Sequence, residues 1–311
     1  MTAVRWVEIG PNEDGQRLDN FLLRELKGVP RSRIYRLLRK GEVRLNKKRC
    51  KPSDRLAEGD QVRIPPVRVS ENPQPIGPGQ SLRALLNASI LFEDDALLVI
   101  DKPSGLAVHG GSGISAGVIE NLRAMRPDDR FLELVHRLDR DTSGCLILAR
   151  SRAALVQLHE QLRDGGVDKY YLALTQGKWP NAVKEVNAPL QKNELNSGER
   201  IVRVQKDGKA SRTYFEIVER FSDSTLVKAK LDTGRTHQIR VHTQLTGHPI
   251  LGDEKYGDKA ENQRLQKMGL KRLFLHAATL SFTHPISGER ITLDAPLPAD
   301  LQNLLDGLVS R

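Results

Sequence analysis

Residues 65–80 read PPVRVSENPQPIGPGQ, with five prolines and two glycines and almost no apolar periodicity. Proline fixes φ and removes a backbone donor, so neither a helix interior nor a central strand passes through such a stretch. The composition predicts an extended linker. It divides the 311 residues into a small module (1–70), a linker (71–88) and a larger body (89–311).

Charge divides along the same line. Residues 1–70 hold 17 Lys/Arg against 9 Asp/Glu, which is +8 of the chain's net +10, and 11 of those basic residues fall within Arg31–Arg55 beside two acidic ones. So concentrated an excess predicts a docking surface for a polyanion, against the plainer reading of a solvated basic face. Anionic membrane fits less well, because no amphipathic helix with bulky apolar anchors accompanies the charge. No run approaches the roughly 18 apolar residues of a membrane span, and MTAVRWVEIGPNEDG lacks a signal-peptide pattern. Cys50 and Cys145 stand in unrelated contexts and suggest neither a disulfide framework nor a zinc site, so the cytoplasm is the expected location.

Within the module, QRLDNFLLREL places Leu18, Phe21, Leu22 and Leu26 at helical spacing. A second helix is predicted over PRSRIYRLLRKG, with Ser32 as its cap and Gly41 as its stop. Arg33, Arg36 and Lys40 recur along one face of it, and Lys47, Lys48 and Arg49 extend the charge into the strand and turn EVRLNKKR. EGDQVRIP supplies another strand. In the body, SILFEDDALLVIDKPSG predicts a β-hairpin turning at Asp94–Asp95, and helix-like and strand-like segments then alternate irregularly. THQIRVHTQLTGH reads as a helix capped by Thr236 and stopped by Gly247. The fold class expected is α+β, with a mixed sheet.

Two stretches are dense in chemistry: HRLDRDTSG (136–144) and LDTGRTHQIRVH (231–242). Their Asp-Thr-(Ser)-Gly elements suggest the paired carboxylates of an aspartic protease. Such a pair shares a proton only without a strong cation nearby. Arg137 and Arg140 bracket the first stretch and Arg235 follows the second, so that reading is rejected. His237 and His242 are five apart, poorly placed for one metal, and His109 is read as a loop residue. Neither a metal nor a cofactor is expected. Asp141, Thr142 and Ser143 are turn formers before the apolar strand CLILAR. Asp139 ends an apolar approach with arginines at −2 and +1, and an ionised carboxylate so placed is a nucleophile, a base, or half of a structural ion pair.

The module resembles the S4 RNA-binding domain in RLDNFL (17–22), the serine–arginine helix start at 32–33, GEVRLN (41–46) and EGDQVRI (58–64). That resemblance implies a helix pair presenting basic side chains to structured RNA, with Arg31, Arg33, Arg36, Lys40, Arg44, Lys47, Lys48 and Arg49 as RNA-binding candidates. The body resembles the RluA-type family of RNA pseudouridine synthases through KPSGLAVH (102–109), HRLDRDTSG, DKYYLAL (168–174), TGRTHQIRVH (233–242), HPILGDEKYG and RLFLHAATLSFTHP. Joined to the S4-like module, with VHGGSG in the body, it is most similar to members acting on bacterial large-subunit (23S) ribosomal RNA.

What the family resemblance implies is a mainly antiparallel sheet and an isomerase that turns uridine in RNA into its C-glycoside. It implies Asp139 as the catalytic aspartate, attacking C1′ or removing the C2′ proton, Arg235 as its ion-pair partner, and Tyr171 beside the flipped base. Arg137 is the candidate for filling the position that base leaves. Ribosomal RNA is the implied partner and a monomer the implied state. A tRNA-directed synthase and a non-catalytic ribosome-assembly factor are the alternatives.

Overall fold

The computed structural model describes residues 3–26, 28–67, 77–111, 116–194 and 200–308. The main break between its two compact units falls between Gly77 and Pro78.

The first unit is a four-stranded antiparallel sheet with two helices on one face. Its elements are β1 (Arg5–Glu8), α1 (Leu18–Glu25), α2 (Arg31–Lys40), β2 (Arg44–Leu45), β3 (Lys48–Arg49) and β4 (Gln61–Ile64), and the strand order is β1-β4-β2-β3. Leu18, Phe21 and Leu22 of α1 and Ile34, Leu37 and Leu38 of α2 meet Val62 and Ile64 of the sheet in one buried cluster. This is the face the leucine spacing predicts. Ser32 is not the cap of α2. Pro30 takes that position with no side-chain cap bond, because its fixed φ starts the helix one residue before Arg31. Gly41 stops the helix as expected, in the left-handed region at φ 67° with its N–H returned to Leu37 and Leu38.

The second unit contains α3 (Gln80–Ala88), β5 (Ile90–Glu93), β6 (Leu97–Lys102), α4 (Val118–Met125), β7 (Glu133–Leu134), β8 (Ser143–Ala149), α5 (Arg152–Asp164) and β9 (Asp168–Gln176). It continues with β10 (Glu185–Asn187), β11 (Leu190–Glu194), β12 (Arg200–Val204), β13 (Arg212–Arg220), β14 (Ser224–Leu231), α6 (Gln238–Leu245) and α7 (Lys259–Lys267). It ends with β15 (Leu275–Thr283), β16 (Arg290–Asp294) and α8 (Ala299–Asp306). A ten-stranded sheet runs β10-β13-β14-β9-β15-β8-β6-β5, with β16 added beside β15 and β7 beside β8; β11 and β12 form a separate hairpin. Among the described residues only the β8–β15 pairing is parallel, so the mixed, mainly antiparallel α+β expectation holds.

The expected linker is shorter than 71–88. Residues 80–88 form α3, because Leu82 and Leu86 lie one helical turn apart and pack on the body's core. Residues 71–76 of that segment lie outside the described residues. Strands β6 and β8 read as unbroken apolar runs because both sheet faces are covered. Leu98, Ile100, Leu146 and Leu148 face one cluster, while Leu97, Val99, Ile147 and Ala149 face another that α5 covers with Ala154 and Leu158. At the start of β8, Gly144 has φ 108°, and a Cβ there would lie 2.3 Å from the Ala277 carbonyl oxygen. Only glycine lets β8 approach β15 so closely, which explains the last residue of HRLDRDTSG.

Candidate active site

Asp139 lies in the loop between β7 and β8, at the floor of a cleft of about 660 Å³. The loop is clamped from beneath by KPSG. The Lys102 ammonium, fully buried, donates to the carbonyls of Pro103 (2.8 Å), Leu106 (2.9 Å) and Arg140 (3.0 Å). Ser104 Oγ donates to the Asp141 carbonyl at 2.8 Å, and the Gly105 N–H to that of Arg140 at 2.9 Å. Burial above all pushes Lys102 down to about 7. On the other side His136 Nε2 accepts the Ile147 N–H at 3.1 Å, and burial pushes the ring down to about 3, so it is neutral and structural. The backbone around Asp139 is therefore fixed on two sides.

The cation facing Asp139 is Arg240, not Arg235. Arg240 Nη1 donates to Asp139 Oδ2 at 3.1 Å, while its Nε and Nη2 each donate at 2.8 Å to the two oxygens of Asp253. The Asp253 side chain is 0% exposed, and its Oδ1 also accepts the N–H groups of Lys255 and Tyr256. Burial opposes the charge on Arg240 most strongly, but the hydrogen bonds and charge of Asp253 and Asp139 outweigh it and raise its pKa. Arg235 lines the same cleft yet precedes α6. It is exposed, and its Nε donates to the Ala210 carbonyl at 3.1 Å. The physical reason is helical phase: once α6 begins, the side chain turned toward Asp139 is three residues past the N-cap, at 240.

Nor is Thr236 the cap of α6. His237 takes that position in the left-handed region, at φ 55°. Buried Gln238 satisfies the helix entry instead. Its Oε1 accepts the Arg235 N–H (3.0 Å) and the Thr233 hydroxyl (2.8 Å), and its Nε2 donates to the Arg212 carbonyl (2.8 Å). A non-glycine residue held there is strained by about 1–3 kcal/mol, and such strain clusters at functional sites. His237 Nδ1 pairs with the Tyr256 hydroxyl at 2.7 Å, leaving Nε2 3.8 Å from Asp139 Oδ2. Burial, the strongest influence on its pKa, keeps the ring predominantly neutral. His242 belongs to a different setting: it is buried, with its two nitrogens on Thr213, Ser211 and the Ala188 carbonyl.

Tyr171 projects from β9 into the cleft, across from the bulge that β15 makes between His276 and Thr279. Burial, reinforced by the charge of Asp139, raises its pKa and keeps the phenol protonated. Arg137 is exposed on the cleft wall, and Arg163 and Lys169 join it there. The RNA-binding candidates all lie in the first unit. Arg31, Arg33, Arg36 and Lys40 are on α2, Arg44 on β2, Lys48 and Arg49 on β3, and Lys47 in the intervening turn. Chemically, the cleft offers one oriented carboxylate on a fixed cation, a neutral phenol and a rim of positive charge. It suits attack or proton removal at a sugar carbon in a polyanion.

Comparison with known proteins places both units. Residues 96–245 match the RNA pseudouridylate synthase family and residues 16–62 the S4 domain. The chain is 58% identical over 312 residues to "Ribosomal large subunit pseudouridine synthase C" of Salmonella typhi, covering 99% of this chain and 98% of that protein. The protein of the same name from Escherichia coli (strain K12) is 58% identical over 309 residues, 98% of this chain and 97% of that one. Among solved structures, human RNA Pseudouridylate Synthase Domain Containing 4 superposes with a TM-score of 0.59 at 29% identity, covering 73% of this chain and 95% of that chain. With that identity sustained through the S4 module and the cleft-bearing sheet alike, the chain belongs to the RNA pseudouridylate synthase family.

Proposed function

We propose that this protein isomerises uridines of large-subunit ribosomal RNA to pseudouridine, with Asp139 as the reacting carboxylate. The observation that carries the reading is the Asp139–Arg240–Asp253 chain in the cleft, in which a buried, doubly anchored guanidinium orients one carboxylate toward open space. The reaction breaks C1′–N1, turns the uracil and joins C1′ to C5. The C5 proton leaves and N1 gains one, so no water is consumed. A hydrolase would instead need a second carboxylate to activate water.

Asp139 acts at the ribose, and Arg240 keeps it ionised and aimed. Tyr171, a protonated phenol, packs against the everted base. Arg137, exposed on the cleft wall, fills the gap the base leaves, helping offset an unstacking cost of a few kcal/mol. Arg235 takes a phosphate at the rim. In this reading the basic module grips the RNA backbone, and the protein works in the cytoplasm as a single chain without metal or cofactor. No helix among the described residues is long and apolar enough to cross a membrane.

The test is tritium release from [5-³H]uridine-labelled large-subunit RNA. Wild type releases tritium and Asp139→Asn does not, while both bind the RNA equally. Absence of release by the wild type on that RNA, on either the naked or the partly assembled form, defeats the proposal.

A further inference from the structure

The solvent face of the first unit's sheet carries a row that no helix-face reading uses. Trp6 on β1 pairs with Arg63 on β4, Arg63 with Arg44 on β2, and Arg44 with Arg49 on β3. Directly paired residues point to the same side of a sheet. One tryptophan and three arginines therefore stand in line across all four strands. The alternate positions Val62 and Ile64 are fully buried under the helices, which turns this row away from α1 and α2. Trp6 is 47% exposed, an unusual placement for the largest apolar side chain. Among the described residues, none of the three arginines forms an ion pair. Arg63 Nη1 donates to the Glu42 carbonyl at 2.7 Å, and Arg49 passes over Gly41. Of the acids beside the row, Glu42 has its carboxylate 4.0 Å from the Lys40 ammonium and Glu8 accepts from Gln61 at 3.2 Å.

We propose that this row is a second RNA-contact strip, distinct from the basic face of α2, and that it takes single-stranded RNA. The inference rests on the reading that the protein's substrate is RNA. An indole presents a flat face, and a base stacks on it only when unpaired, because bases inside a duplex cover one another. The arginines, spaced by the strand separation of about 4.8 Å, continue from the indole for about 14 Å and pair with the phosphates of the same strand. On the α2 face the one ring, Tyr35, is taken up by the Arg31 guanidinium over it and by a hydroxyl bond to Asp19, so that face offers charge rather than a free stacking surface and suits an A-form backbone instead. Together they recognise a junction where a helix opens into a loop.

The chain's two tryptophans make the test direct, since Trp179 is 1% exposed, its ring N–H bonded to the Val183 carbonyl. The full-length protein is titrated with a mixed-sequence ten-nucleotide RNA strand and with a ten-base-pair RNA duplex, following tryptophan emission and affinity. The strand quenches the wild type. Trp6→Phe loses the quench but keeps affinity within about threefold, and Trp6→Ala binds the strand about tenfold more weakly with duplex affinity unchanged. Arg44→Gln lowers the salt slope for the strand by about 0.7. Unquenched emission, or equal strand affinity in Trp6→Ala, overturns the strip. So does a concentration-dependent dimer that Trp6→Ala abolishes, since β1 is an edge strand open to a second copy. Tritium release without quenching defeats the strip alone; quenching without release defeats the isomerase reading alone.

Discussion

Replacing Arg240 by methionine keeps the aliphatic stem and removes three hydrogen bonds at once: two to Asp253 at 2.8 Å and one to Asp139 at 3.1 Å. The Asp253 side chain is wholly buried, and breaking a buried pair by deleting one partner costs about 3–5 kcal/mol. For a unit of this size that lowers the melting temperature by roughly 6–20 °C. The Asp139 carboxyl is 25% exposed and loses one charge-assisted bond, about 1.5–3 kcal/mol of orientation, which corresponds to roughly 10–150-fold in kcat. Arg235→Met is the matched control. It removes an exposed side chain whose Nε bonds only to the Ala210 carbonyl, so kcat stays within about threefold and any loss falls on KM. Single-turnover tritium release, measured well below both melting temperatures with folding checked by circular dichroism, separates the two. A crippled Arg235→Met beside a fully active Arg240→Met would refute the assignment.

Two further outcomes are expected. Because burial drives Lys102 down to about 7 while the unfolded chain holds that proton to about pH 10.4, unfolding takes up a proton between those values and Lys102's contribution makes stability rise with pH through that window. Urea midpoints at pH 7, 8 and 9 should show this rise for wild type relative to Lys102→Met; a constant difference contradicts it. Changing Arg33, Arg36 and Lys40 together to glutamine should reduce the salt dependence of duplex RNA affinity by up to about 2.7 in log–log slope, and an unchanged slope removes α2 from the interface.

The elements that show in the sequence are those with local periodicity. Helix α1 and the β5–β6 hairpin follow from residues within a dozen positions of one another, and HRLDRDTSG announces its own loop. Helix α3 is harder to see because only Leu82 and Leu86 face the core and prolines precede it. The assignment of Arg235 fails for a different reason. Linear order marks the arginine beside Gly234, whereas the pairing with Asp139 spans 101 positions and depends on where the first turn of α6 starts. The signal was present, since His237 and Arg240 are three apart and share a helix face. Asp253 carries no such signal, because its acceptor role exists only once GDEKYG folds back on α6. Lys102 looks like a surface lysine until three carbonyls close around it.

An enzyme that handles RNA must keep its working cation away from its substrate's phosphates, which compete for any guanidinium free to swing. Asp253 tethers two of Arg240's three nitrogens beneath the cleft, so the arrival of a strongly anionic guest leaves the third where it was. The positive rim can then bind as tightly as it needs to without drawing the charge away from Asp139.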